Sequence, residues 1–501
     1  MRSMPGFRLR TFARFALLAL ALALAPAAAA PAFAQVDAAT LYQRNCASCH
    51  GAERQGTGLG PPLSAETYRY GGRPEDVVRV ISNGVASRGM PAFGGTLSPE
   101  QIAALADFLP SRQVAPEPEG ASTPAEPPPH EFDAVPGVVD TLDYAVKVER
   151  FAQGLETVWS IAFIDDRTAL VAERPGRLRI VRDGVLQPQP VAGLPPIRVQ
   201  EHALNQGGLF DIAIDPGYRD NGWIYLSYSH GLEARGPEGD RLSMTRVVRG
   251  RIRDDAWVDG EVVYEADRAM YGEAAWHFGG RMLFDREGRL YVTIGDRRVP
   301  ELAREPGRPS GKIHRVMADG SIPPDNPFVG RGDALASVYS VGHRNPQGMA
   351  LDPSTGRIWA TEHGPRGGDE LNIVVSGGDY GWPVVSHGIN YNGTVLTPHV
   401  RAKGVEQPAW YWRPSIGVSG LAFYDGDAFG LWRGKLLVTG LAPRELRLLT
   451  LDGDRVQHEE TILTTEGRPY EPVVGPDGAI YVVTDAPGEV LRLSPQEERR
   501  L

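Results

Sequence analysis

Cys46, Cys49 and His50, in the run NCASCHG at 45–51, are spaced to do chemistry before any fold is considered. In Cys-x-x-Cys-His the two thiols can add across the vinyl groups of one heme, and the adjoining histidine is placed to bind its iron. These are the only two cysteines among 501 residues, so both are committed to this motif. A second iron ligand must come from farther along the chain. Met90, in SRGMPAFGG, is the only methionine between the motif and residue 113. Its flanking Gly, Pro and Phe suit a fixed loop rather than a helix face, and a methionine ligand raises the iron potential, as an electron acceptor requires.

A second set of chemically able residues stands far downstream. His277 opens AWHFGGRMLFD, Asp296 closes YVTIGD, and Arg344 and Asn345 stand in YSVGHRNPQGMALDP. If the first two stretches are the strands of one hairpin, His277 and Asp296 meet at the same end of it. A histidine and a carboxylate so placed form a base and its orienting partner, and an arginine nearby could stabilise negative charge. Each of these residues, taken alone, reads better as a loop-capping polar group.

The elements that must hold these residues follow from the pattern around them. One phrase returns at 159–181, 210–229, 280–296, 347–364, 419–440 and 471–485: an alternating apolar strand, a turn of Asp, Pro and Gly, and a second apolar strand. Such a sheet cannot bury both faces alone, so the spacing predicts a six-bladed all-β propeller over 140–495, with YAVKVERF at 144–151 completing the last blade. Residues 35–113 read instead as a small all-α domain, with helix starts at PEDVVRVISNGV and SPEQIAALADFLPS. Together with CASCHG and GMPAFGG, this domain resembles a small class I cytochrome c. Between the two bodies, 114–139 is rich in proline and acid and predicts a semi-stiff linker.

Residues 1–34 read as a cleaved export signal: Arg2, Arg8, Arg10 and Arg14, then FALLALALALAPAAAA, then Ala32-Phe33-Ala34. The apolar run is short and alanine-rich, so the mature chain is expected to be periplasmic, to start near Gln35 and to have no membrane span. Removing the signal takes the formal charge from −10 to −14. With no Lys/Arg run elsewhere, nothing favours nucleic acid as a partner.

HFGGR, YVTIGD, VGHRNPQGMA, EHGPRGGDELN and GGDYGWP, in that order on the six-blade repeat, resemble the soluble pyrroloquinoline quinone (PQQ) sugar dehydrogenases. The aldose sugar dehydrogenase branch is the nearer one, and the likeness runs over residues 145–493. The resemblance implies that His277 takes the proton of a sugar hydroxyl, that Asp296 orients its imidazole, and that Arg344 stabilises charge on the quinone. It further implies that Gln206 and Asn345 hold cofactor or substrate, that Ser415 supplies a hydroxyl contact, and that Arg468 pairs with a quinone carboxylate. The backbone carbonyls of Gly364 and Pro365 match ligands of a catalytic calcium, and Glu370 and Tyr380 match a structural calcium site. Three departures are visible: Ala442 or Pro443 stands where the family often has lysine, Arg468-Pro469-Tyr470 replaces Arg-x-Arg, and RRVPEL after Asp296 lacks the glutamine of the glucose-specific branch.

The resulting expectation is an exported quinoprotein dehydrogenase that oxidises an aldose or related polyol, hemiacetal to lactone. Its cofactors would be PQQ, calcium and heme c, and its downstream acceptor a cytochrome or terminal oxidase. A calcium-dependent propeller lactonase or hydrolase and a non-catalytic, sugar-binding heme sensor are the alternatives; uptake of PQQ separates the first reading from both.

Overall fold

The computed structural model describes residues 37–56, 62–63, 74–84, 90–109, 137–199, 206–237 and 239–498. The expected export signal and most of the expected linker lie outside these residues. The chain divides into two compact units, Met1–Thr123 and Pro124–Leu501. Among the described residues, no helix is long and apolar enough to cross a membrane.

The first unit is helical: α1 (Ala38–Asn45), α2 (Ala47–His50), α3 (Pro74–Asn83) and α4 (Pro99–Phe108). The starts of α1 and α4 are chemically marked. Asp37 accepts hydrogen bonds from the backbone N–H groups of Ala39 and Thr40 at 3.1 and 3.3 Å, and Ser98 with Gln101 closes a reciprocal capping box on α4. Tyr42, Val77, Ile81, Ile102 and Leu105 are buried together, so α1, α3 and α4 share one core.

The second unit is six antiparallel sheets. The first five are four-stranded: 158–186, 209–264, 282–341, 346–412 and 418–464. The sixth joins Pro469–Val474, Ile480–Asp485 and Gly488–Glu498 to two strands from the start of the domain, Tyr144–Leu155 and Val138–Asp140. The expected closing strand is therefore present and longer than the 144–151 read from sequence. It pairs from Tyr144 opposite Glu498 to Leu155 opposite Gly488, so the two ends of the domain are hydrogen-bonded into one blade. The first strands of successive blades face one another around the ring, the sixth against the first included.

The repeated Asp and Gly do the same local work in several blades. Asp285 accepts from the N–H groups of Glu287 and Arg289, Asp352 from those of Ser354 and Thr355, and Asp477 from that of Ala479. Gly288, Gly356 and Gly478 follow at φ of 73°, 72° and 73°, the left-handed turn that glycine adopts without a Cβ clash. These turns close one end of the blades and leave the other end to longer, irregular connections.

At the centre, Arg281 draws four blades together. Its Nη1 donates to Asp211 at 2.9 Å and to Glu471, its Nε donates to the Gln347 carbonyl at 3.0 Å, and its guanidinium lies 4.1 Å from the Trp159 ring. Asp211 also accepts from the Met282 N–H, and Glu471 from the Ile161 N–H. Burial pushes both carboxyls up, against the pull of the arginine.

Candidate active site

His277 precedes the strand Met282–Phe284 and Asp296 follows its antiparallel neighbour Arg289–Ile294, so the two meet at one end of the third blade. His277 Nδ1 is 2.6 Å from Asp296 Oδ1. An ionised carboxylate can only accept, so Nδ1 carries the hydrogen and Nε2 is the free base. The other carboxylate oxygen accepts from Trp382 Nε1 at 2.8 Å, and the Arg298 backbone N–H donates to Oδ1 at 2.8 Å. The histidine is fixed as firmly as its partner. Its backbone N–H donates to Gln206 Oε1 at 2.8 Å, and its φ of 53° is a left-handed conformation that a non-glycine residue holds only when its surroundings impose it.

Burial, aided by the Arg344 and Arg298 charges, holds the His277 imidazole below its ordinary pKa despite the pull of Asp296. The imidazole is thus neutral and able to accept a proton near pH 7. For Asp296, burial pushes the pKa up, but the bond to His277 and the Arg344 charge outweigh it and keep the carboxyl ionised.

Arg344 and Asn345 join this pair from the fourth blade. The Arg344 carbonyl accepts from the Asp296 N–H at 2.7 Å, its own N–H donates to Glu362 Oε2 at 2.8 Å, and its Nη1 donates to the His363 carbonyl at 3.1 Å. Arg344 is 7% exposed, its guanidinium lies 5.4 Å from the Trp382 ring, and among the described residues no carboxylate forms an ion pair with it, Asp296 acting on it only through its charge. A buried cation with no directly paired carboxylate suits an anionic or strongly accepting ligand group. Asn345 Oδ1 accepts from the Gly279 N–H at 3.2 Å and from Gln347 Nε2 at 3.1 Å, which ties the loop after His277 to the next blade.

Gly364, Pro365 and Ser415 form a neighbouring group organised by a buried carboxylate. Asp369 accepts from the Gly364 N–H, the Ser415 hydroxyl and the Val418 N–H, each at 2.9 Å. The Ser415 hydroxyl also lies 3.2 Å from the Pro365 carbonyl. Two backbone carbonyls beside a buried acid are the hard oxygen donors that calcium prefers, so these residues fit the ion. Glu370 and Tyr380 offer less through their side chains. The Tyr380 hydroxyl donates to the Ile373 carbonyl and accepts from the Val375 N–H, and Glu370 accepts from Asn372. Among the described residues no three His, Cys, Asp or Glu side chains gather as a metal site.

Arg468 lies at the same end of the sixth blade, where its Nε donates to Asp485 at 2.7 Å and its side chain is half exposed. It makes no contact with the His277–Asp296 pair. The structure thus brings His277, Asp296, Arg344, Asn345 and Gln206 into one bonded network, links Gly364, Pro365 and Ser415 to it through His363, and sets Arg468 apart. Trp382, Glu362 and Asp369 belong to the network and were not assigned from sequence. All three lie in or beside the quoted blocks, but their partners are distant in sequence, so no local spacing marks them.

In the helical unit, α2 carries Cys49 and His50, with Cys46 as its N-terminal flank and His50 buried. Cys46 and Met90 pack against the same apolar core. Burial, with Cys49 beside it, pushes the Cys46 thiol up to about 11. Gly84, at φ 68°, ends α3 in contact with the Met90 loop: a Cβ there would lie 2.6 Å from the Met90 carbonyl and the Ala92 nitrogen. The Phe93 N–H donates to the Ile81 carbonyl at 3.0 Å and fixes the same loop. Two thiols and a buried imidazole on one short segment, with a thioether on the core that Cys46 also lines, fit a porphyrin.

The family model for glucose/sorbosone dehydrogenase matches residues 155–492, and that for cbb3-type cytochrome c oxidase subunit III matches residues 34–109. The chain is similar to the aldose sugar dehydrogenase YliI of Escherichia coli, 38% identical over 360 residues that cover 70% of this chain and 93% of that protein. It is also similar to quinoprotein glucose dehydrogenase B of Acinetobacter calcoaceticus, 31% identical over 36% of this chain and 41% of that one. The solved apo-form structure of the soluble E. coli aldose sugar dehydrogenase superposes with a TM-score of 0.64 at 36% identity, over 70% of this chain and all of that one.

Proposed function

The chain belongs to the glucose/sorbosone dehydrogenase family and carries a cbb3-type cytochrome c domain ahead of the dehydrogenase, and on that premise we propose that it is an exported quinoprotein that oxidises an aldose to its lactone and passes the electrons to its own heme. The His277–Asp296 pair, with the buried Arg344 beside it, carries this reading.

When bound, PQQ with its calcium supplies a two-electron acceptor and the heme a one-electron centre. The residues do the rest. His277 Nε2 removes the proton from the anomeric hydroxyl, and Asp296 holds the imidazole in the tautomer that can take it. Trp382 and the Arg298 N–H hold Asp296 in turn. Arg344 meets negative charge with a guanidinium already desolvated and bonded in place, so little reorganisation accompanies the reaction. The Gly364 and Pro365 carbonyls would hold the calcium, and Gln206, Asn345, Ser415 and Arg468 would border the quinone. Cys46 and Cys49 would anchor the heme between His50 and Met90.

A domain tethered in the same chain raises the local concentration of the acceptor, so heme reduction need not wait for a separate cytochrome. The family assignment and the base pair favour oxidation over the hydrolase reading, which needs several inward carboxylates. A decisive test loads purified protein with calcium and PQQ and follows the heme spectrum on adding aldoses. Reduction that requires both quinone and sugar, and that His277→Ala abolishes, is the expected result; reduction independent of the quinone contradicts the proposal.

A further inference from the structure

Three arginines on the connections around the site stand unpaired in a chain that is acidic overall. The chain has a formal charge of −10, and many arginines of the outer blades are ion-paired: Arg249 with Glu261 at 2.6 Å, Arg289 with Asp285 at 2.6 Å, Arg447 with Glu445 at 2.8 Å. Around the site the pattern changes. Arg298, Arg366 and Arg413 are exposed and have no carboxylate partner among the described residues.

Arg298 is the most closely held of the three. It lies two residues after Asp296, on a turn where Arg297 and Arg298 have φ of 53° and 57°. Two consecutive left-handed residues are costly for arginine and natural for glycine, so the turn bears strain where it directs this side chain. The Arg298 guanidinium lies 5.1 Å from the Trp276 ring, and Trp276 adjoins His277 in the chain. Its charge also reaches the His277 imidazole. The cation is thus fixed against an aromatic face within electrostatic range of the base, and its guanidinium makes no hydrogen bond among the described residues.

Arg366 and Arg413 bound the other side. Arg366 exchanges backbone hydrogen bonds with Ile389 at 3.0 Å each way, and Arg413 precedes Ser415 by two residues on the segment beside Gly367. The two sides are joined by the long connection 375–409, which carries Trp382 to Asp296 and Ile389 to Arg366.

We propose that the substrate is an anionic aldose, its carboxylate or phosphate group held by Arg298 while the anomeric hydroxyl faces His277. This rests on the sugar-oxidising reading above and assigns the substrate class to it. On a protein of net negative charge an anionic sugar is repelled at long range, and unpaired arginines on the connections around the site oppose that repulsion locally. Arg298 then supplies the charge-assisted hydrogen bonds that fix the end of the sugar remote from the reacting carbon.

The test uses the full chain loaded with calcium, PQQ and heme at pH 8, where His277 is neutral with or without the Arg298 charge. Heme reduction is measured with glucose, glucuronate and glucose 6-phosphate, on the native protein and on Arg298→Gln and Arg298→Lys. The native protein should show the higher kcat/KM with one or both anions, and which one distinguishes carboxylate from phosphate. Arg298→Gln should lower the ratio of anionic to neutral kcat/KM by about ten- to a hundredfold, the range for hydrogen bonds to charged groups, and Arg298→Lys should restore part of it. Raising the salt concentration should lower the native ratio. PQQ affinity, measured by titration of the quinone alone, should be the same in the native protein and Arg298→Gln. Oxidation of glucose with no preference for either anion overturns this proposal and leaves the dehydrogenase standing. An unchanged ratio with weakened PQQ binding overturns it too, by giving Arg298 to the cofactor. If none of the three sugars reduces the heme, an arabinose and xylose panel decides whether the dehydrogenase reading survives, and the anionic assignment is lost either way.

Discussion

At the scale of single residues the site is a neutral base held by a fully bonded carboxylate. Asp296 raises the His277 pKa through its hydrogen bond and charge, while burial and two arginines lower it. Asp296→Asn removes the charge, so the acid limb of kcat/KM should move to lower pH. The rate should also fall, by about 10²- to 10⁴-fold if most of the base catalysis is lost. A pH–rate profile on both proteins checks both effects. Trp382→Phe leaves one oxygen of a buried carboxylate without its donor, a bond worth about 1.5–3 kcal/mol. The expected result is a lower denaturation midpoint and reduced kcat, with the KM for sugar little changed. His277, Asp296, Arg344 and Asn345 were legible in sequence because they interrupt a regular repeat at strand ends. Trp382 was not, because it meets Asp296 across 86 residues of chain, through a connection that no periodicity describes.

At the scale of elements, each blade pairs a tight Asp–Gly turn at one end with a longer functional connection at the other. Chemistry collects on the second end because the turns at the first have no room to carry it. The repeat phrase made the blades legible, since alternating strands and left-handed glycines are local properties. The hub was not legible: Arg281, Asp211 and Glu471 sit inside three copies of the phrase and look like ordinary polar members of it. Arg281→Met would leave two buried carboxylates without their cation, so a loss of about 3–5 kcal/mol is expected in equilibrium denaturation. A smaller loss with unchanged cooperativity would show that the hub is not what ties the blades together. The closing strand Tyr144–Leu155 makes the ring depend on its C-terminal partner. Truncation after Asp485 removes that partner and should abolish cooperative unfolding.

At the scale of the whole molecule, a cytochrome c domain and a dehydrogenase domain, each with its own core, share one chain. The helical unit was legible from Cys-x-x-Cys-His and from helix starts at Pro74 and Ser98, because covalent attachment demands a fixed spacing and a helix start favours particular residues. Met90 was legible as a lone methionine, and the structure sets it on the core that Cys46 also lines. If Met90 is the second iron ligand, Met90→Ala should lower the heme potential in a redox titration, since thioether ligation raises it. An unchanged potential would assign the ligand elsewhere. On the proposed function, sugar oxidised on the propeller reduces the heme of the same protein. The most direct measurement is anaerobic stopped-flow absorbance of the oxidised full-length protein, loaded with calcium and PQQ and mixed with sugar at several protein concentrations. Heme reduction whose rate does not depend on protein concentration, and which is absent without PQQ or in His277→Ala, is the expected result. A rate proportional to protein concentration, or a heme that stays oxidised while sugar is consumed, would contradict it.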